Sequence, residues 1–229
     1  MTKDKSPKKR PTDNKPSRRR SRTDKEKGIM RDRILESATE LFTTRGYYGT
    51  TIADITRNAD VSTGTFYLYY KSKIDIYKTL QLKGLHILSE MMEETLSRPF
   101  KGALSRLADL ALTYYRFYCE HHEFFEIIAV LSATPAELKE TESEISHVVN
   151  KHTSHLMKKI ESVIIKGIKT DEIKAIDTWR IANVYWGMMD GLILLAERHN
   201  LENVIGCGLE TLIKEALDMT FSGISKKTH

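Results

Sequence analysis

The chain has 229 residues, enough for one large or two small domains, with 40% hydrophobic and 29% charged residues. That composition supports a buried core. The most apolar predicted helix, residues 181–196, carries Asn183 and Asp190 and is too short to span a bilayer, so no membrane partner is expected. The net charge of +5 is uneven: residues 1–25 hold eleven Lys/Arg and three Asp, whereas the remainder holds 25 Lys/Arg against 28 Asp/Glu.

Residues 1–25 contain only Met1 as an apolar side chain and three of the five prolines, too little to fold. They read as a disordered basic arm, either a solubilising leader or a segment that follows DNA phosphates through Arg18, Arg19, Arg20 and Arg22. No apolar stretch follows the basic start, so no signal peptide is expected. Cys119 and Cys207 lack paired spacing, which suits a reducing cytoplasm. Residues 26–45 form the first predicted helix, with Ile34, Leu35, Ala38, Leu41 and Phe42 on one stripe and Gly46 as its stop.

Two short helices then span Thr51 to Tyr70. Thr51 with Asp54 reads as a capping box, and Ile52, Ile55 and Ala59 share a face. Asn58, Ala59 and Asp60 break the period, and Ser62 caps a second helix from Thr63 to Tyr70. Phe66 and Tyr70 face a core, leaving Thr63, Gly64, Thr65, Tyr67 and Tyr69 on the surface. Small residues at the helix start permit close approach to a groove, and the hydroxyls there suit base edges and phosphates. Spacing alone is also compatible with a helical hairpin that binds nothing. Ser72 and Asp75 read as a further capping box, opening a long helix from Lys73 to about Ser97.

The run from Val61 to Lys73 (VSTGTFYLYYKSK), with its lead-in from Ile34 to Ile55, resembles the tetracycline-repressor (TetR/AcrR) family of bacterial transcription regulators. The resemblance covers about residues 27 to 87. Two positions depart from the family pattern: Asp60 stands where Gly is usual, and Tyr70 where Phe is usual. Asp tolerates a left-handed turn, and Tyr fits a Phe site if its hydroxyl finds a partner.

Beyond Arg98 and Pro99 the chain reads as helices at about 101–121, 122–132, 136–167, 173–198 and 206–223. The fold class is therefore all-α: a three-helix DNA-binding domain at 26–87 and a larger helical domain for ligand binding and dimerisation at 88–229. Tyr114, Tyr118, His122, Phe125, Trp186 and Met189 are candidates to line a ligand cavity, though any one of them alone reads as core packing. The family resemblance implies such a cavity in the body. His147, His152 and His155 share one side of a helix, and Cys119, His121, His122 and Glu123 crowd a helix end. Neither set repeats a strong ligand spacing, so no metal and no cofactor is expected. Residues 181–196 are apolar nearly all round, with Gly187 and Gly191 positioned for close helix approach. Together with Leu192, and with Leu212 and Ala216 from the last helix, they are the candidate dimer interface. The alternative is burial of both helices in one core.

The resemblance implies a homodimer that reads double-stranded DNA and releases it on binding a small hydrophobic or aromatic effector. Thr51, Ser62, Thr65, Tyr67 and Lys73 are expected to hold phosphates, and Thr63, Gly64 and Tyr69 to face the bases. An activator or a ligand-independent DNA-binding protein with the same head is the alternative. An enzyme is disfavoured: the chain lacks a Gly-rich phosphate loop and a nucleophile elbow. Drug-like, aromatic and fatty-acyl effectors are not ranked.

Overall fold

The computed structural model describes residues 18–129, 144–197 and 206–226, with side chains from residue 24. Nine α-helices lie among the described residues, and no strand. They are α1 (Arg18–Arg45), α2 (Ile52–Asn58), α3 (Thr63–Tyr67), α4 (Lys73–Ser97), α5 (Ala103–Glu120), α6 (His122–Ala129), α7 (Glu144–Lys169), α8 (Thr178–Ala196) and α9 (Leu209–Ile224). No described helix is long and apolar enough to cross a membrane.

Helix α1 begins at Arg18 rather than near residue 26, so the last eight residues of the expected disordered arm are helical. No proline follows Pro16 to stop the helix, and its buried stripe of Ile34, Ala38, Leu41 and Phe42 anchors it further along. The rest of the expected arm, residues 1–17, lies outside the described residues, as do parts of the expected helices at 130–132, 136–143 and 198.

The head consists of α1 to α3 and the start of α4. Ile55, Ala59, Phe66 and Tyr70 are buried against Ile34 and Ala38. The buried Ser37 hydroxyl donates to Ile55 O at 2.8 Å, which ties α1 to α2. Both departures from the family pattern are accommodated locally. Asp60 has φ 49° in the left-handed region, and Arg33 reaches its carboxylate at 3.2 Å. Tyr70 is 2% exposed, and its hydroxyl lies 3.5 Å from Arg31 O.

Helix α4 runs unbroken from head to body, so the expected boundary at residue 88 falls inside one rigid element. In the body, α4 packs on α5, α6 and α7, and α8 packs on α7. Helix α8 starts at Thr178, later than expected, because Asp177 caps it through Arg180 N and Ile173 pairs with Ser225 instead. The Glu172 carboxylate caps α5, accepting from Ala103 N at 2.5 Å and Leu104 N at 3.0 Å.

Candidate nucleic-acid interface and ligand cavity

The helix pair is held by its caps. The Thr51 hydroxyl accepts from Asp54 N at 3.1 Å and donates to the Asp54 carboxylate at 2.5 Å, while Thr51 N donates back to the same carboxylate at 3.1 Å. These hydrogen bonds hold the Asp54 carboxyl below the usual carboxylate range. The Ser62 hydroxyl accepts from Thr65 N at 3.0 Å and shares a 2.9 Å hydrogen bond with the Thr65 hydroxyl. The hydroxyls of Thr51 and Ser62 are thus committed to the fold, and the Asp54 charge beside Thr51 disfavours a phosphate there. Ser72 caps α4 at Asp75 N, but the Asp75 carboxylate accepts from Lys71 N at 2.8 Å, so the second capping box is only half formed.

Helix α3 ends at Tyr67, with Leu68 as its C-cap, three residues short of the expected Tyr70. Thr63, Gly64 and Tyr67 lie on its exposed side, as expected. Tyr69, expected to face the bases, falls beyond the helix and is half-buried against the core. Leu68, which follows α3, is 81% exposed. Leucine carried no signal in the sequence for such a position.

Lys73, expected to meet a phosphate, turns its ammonium inward. It donates to Tyr47 O and Thr50 O, each at 2.8 Å, and sits 4.1 Å from the Tyr47 ring centre. Burial lowers its pKa. It fastens α4 to the connection between α1 and α2. Lys71, at the turn before α4, is exposed.

The fold does not require a glycine at position 64. A Cβ built there would meet only the Ser62 Oγ, at 3.6 Å, and its φ is not left-handed. Glycine costs a helix up to about 1 kcal/mol relative to alanine. The free side of α3 therefore keeps a gap where a side chain would fit.

In the body, the six expected cavity residues come together from α5, α6 and α8. Ring centres lie 5.3 Å apart for Tyr118–His122, 5.1 Å for Tyr118–Phe125, 5.9 Å for Tyr114–Phe125 and 4.8 Å for Tyr114–Trp186. Tyr114, Trp186 and Met189 line an enclosed apolar cavity with Met92, Leu110, Ala111, Ile160 and Tyr185, which holds only about 10 Å³. That is room for about one water. The Tyr114 hydroxyl donates to the Asp190 carboxylate, and the Tyr118 hydroxyl to Glu197. A wider, open cavity of about 730 Å³ lies where α4 and α7 end and α5 begins, bordered by Arg98, Phe100, Lys101, Lys166 and Thr170.

Burial raises the Asp190 pKa against the opposing hydrogen bonds from Tyr114 and Trp186. The folded chain therefore holds this proton to higher pH than the unfolded chain does. The carboxyl subtracts stability as pH rises from about 4 through its folded value, and nothing below that window. Asp190→Asn retains an acceptor for Tyr114 without the charge. It is expected to raise the melting temperature at pH 7 and to leave it nearly unchanged at pH 3, measured by thermal denaturation; equal shifts at both pH values would refute this.

On α8, Ala182, Tyr185, Met189 and Ile193 are buried, while Val184, Gly187, Gly191 and Leu194 are exposed. The helix is thus two-sided, and burial in a single core does not account for it. A Cβ at Gly187 or Gly191 would meet nothing within 4 Å. Leu192, Leu212 and Ala216 are half-buried where α8 meets α9, and Met219 of α9 is 76% exposed.

Residues 34–80 match the model of a family described as bacterial regulatory proteins, tetR family. The chain is 52% identical over 72 residues to the HTH-type transcriptional regulator HbdR of Aromatoleum sp. (strain CIB), covering 31% of this chain and 30% of that one. It is 27% identical over 118 residues to the fatty acid metabolism regulator protein of Bacillus subtilis (strain 168), covering 52% and 57% respectively. The chain thus spans from about a third to just over half of the length of these two relatives. Its fold superposes on the transcriptional regulator FadR from Bacillus subtilis in complex with stearoyl-CoA, with a TM-score of 0.64 and 22% identity over 84% of this chain and 98% of that one.

Proposed function

We propose that this chain, whose residues 34–80 match the tetR family of bacterial regulatory proteins, acts as a homodimeric transcription repressor released from its operator by a fatty-acyl ligand. The observation that supports the DNA-binding reading is α3: a short, capped helix whose outward residues Thr63, Gly64 and Tyr67 are exposed, with a glycine at 64 that the packing does not require. A helix of this size fits a major groove, and a two-fold dimer places two of them about one turn of DNA apart, roughly 34–36 Å. Thr63 and Gly64 would face bases, while Thr65, Tyr67 and Lys71 would contact phosphates.

Selection of bound duplexes from random DNA at near-physiological salt tests this reading. A two-fold symmetric motif supports it. Binding that shows no motif and vanishes as salt rises would leave only non-specific attraction to phosphates.

The face of Val184, Gly187, Gly191 and Leu194, extended by Met219, supports pairing of α8 and α9 with their copies in a second chain. Val184→Glu is expected to give a folded monomer in sedimentation and to weaken operator binding. A dimer that survives this change would place the interface elsewhere.

For the ligand, the names of the fatty-acid relative and of the stearoyl-CoA complex support an acyl chain. The aromatic and Met-lined cavity is apolar but nearly closed, so entry requires α5 and α8 to part; Met92 and Met189 can repack around an alkyl chain. Arg98, Lys101 and Lys166 border the open cavity at the start of α5, about two turns from Leu110 of the closed one, a placement that suits the phosphates of coenzyme A. Helix α6 offers a route to the head. His122 lies 3.6 Å from Glu126, and Glu126 lines a cavity of about 180 Å³ with Phe42, Tyr47 and Tyr77 at the joint between head and body. Release requires the ligand to prefer the shape that does not bind DNA, and operator DNA then weakens the ligand by the same factor.

A further inference from the structure

We propose that His122 and Glu126 of α6 and Glu197 at the end of α8 hold a divalent transition-metal ion of the zinc class, with water completing its coordination. One donor atom from each of the three residues lies within 4.8 Å of the other two. His122 Nε2 is 3.6 Å from Glu126 Oε1, and His122 Nδ1 is 4.0 Å from Glu197 Oε1. Zinc bonds of about 2.0–2.2 Å to nitrogen and oxygen at the tetrahedral angle place neighbouring donors about 3.4 Å apart, so the side-chain ends need to close by no more than about 1.4 Å. His122 and Glu126 are four residues apart on one helix, the spacing that sets two ligands on one face.

The charge around the cluster calls for a cation. Among the described residues no lysine or arginine pairs with either carboxylate, and His122 is the basic group within 4 Å of both. Glu197 is also the C-cap of α8, where the free carbonyls of the last turn add negative potential. Two negative side chains and a helix C-terminus thus gather around a single imidazole. The Tyr118 hydroxyl donates to Glu197, and its ring meets His122 edge-on with centres 5.3 Å apart, so α5 orients two of the three ligands. Imidazole and carboxylate donors without a thiolate suit a borderline dication rather than a soft ion. A bound ion would tie α6 to the end of α8. Glu126 also lines the cavity at the joint between head and body, so the site adjoins that joint. The site does not depend on the ligand being an acyl chain.

The test uses the untagged full chain, stripped with chelator and titrated with zinc chloride in a calorimeter, with cobalt(II) absorption as a second readout. The expected result is one equivalent of zinc per chain and a raised melting temperature. His122→Ala, Glu126→Gln and Glu197→Gln should each weaken zinc by at least about tenfold. His121→Ala, whose ring packs on Phe117, and His152→Ala, on α7, should leave zinc binding unchanged. Zinc binding that persists in a Glu126→Gln, Glu197→Gln double variant of unchanged circular dichroism would overturn the site. So would a parent chain that takes up no zinc, or loss of binding with His152→Ala alone.

Discussion

A Gly64→Ala variant is expected to fold at least as well as the parent and to bind its selected operator about tenfold more weakly. The two effects have opposite signs because they come from different surfaces. In the free chain a methyl group at Gly64 meets only the Ser62 Oγ, at 3.6 Å, and alanine is the better helix former. The melting temperature should therefore hold or rise. With α3 docked as proposed, the same methyl group would stand between the start of α3 and the groove floor, and a loss of tenfold corresponds to about 1.4 kcal/mol. Thermal denaturation and a binding isotherm on one preparation decide it. Unchanged affinity would mean that α3 does not approach DNA through Gly64, and the division between base and phosphate contacts would have to be redrawn.

The second large effect separates two lysines two residues apart. Lys73→Met is expected to destabilise the head by about 2 kcal/mol, because the carbonyls of Tyr47 and Thr50 lose a charged donor. Lys71→Gln is expected to leave the melting temperature unchanged and to lower the slope of log affinity against log salt by about one unit. Lys73→Met should weaken DNA binding only in proportion to the unfolded fraction, without a change in that slope. If instead Lys73→Met lowered the slope while stability held, Lys73 would be the phosphate contact and its inward hydrogen bonds would be dispensable.

These two cases mark what local pattern could reveal. The caps of α2, α3 and α4 were legible because a cap is a contact between residues three apart, and Thr51, Ser62 and Ser72 make those bonds. The left-handed turn at Asp60 was legible for the same reason. The inward turn of Lys73 was not, because its acceptors lie 26 and 23 residues away. The end of α3 at Tyr67 was missed because an apolar run beyond it continues the helical period, and only packing places Tyr69 against the core and Leu68 in the open.

In the body, aromatic clustering in sequence brought forward the six residues that do assemble between α5, α6 and α8. It could not show that the cavity among them is nearly closed, since the Tyr114–Asp190 contact spans 76 residues. His152 was visible on a helix face, but its hydrogen-bond partner His86 lies on another helix, 66 residues away. The sequence by itself determined the all-α class, the helix caps and the family resemblance of the head, all of which rest on short-range periodicity and motif. Tertiary structure alone decided which side chains remain free to meet DNA, which face of α8 stays uncovered and which histidines meet. Those outcomes depend on contacts between distant segments, and local propensity carries no information about them.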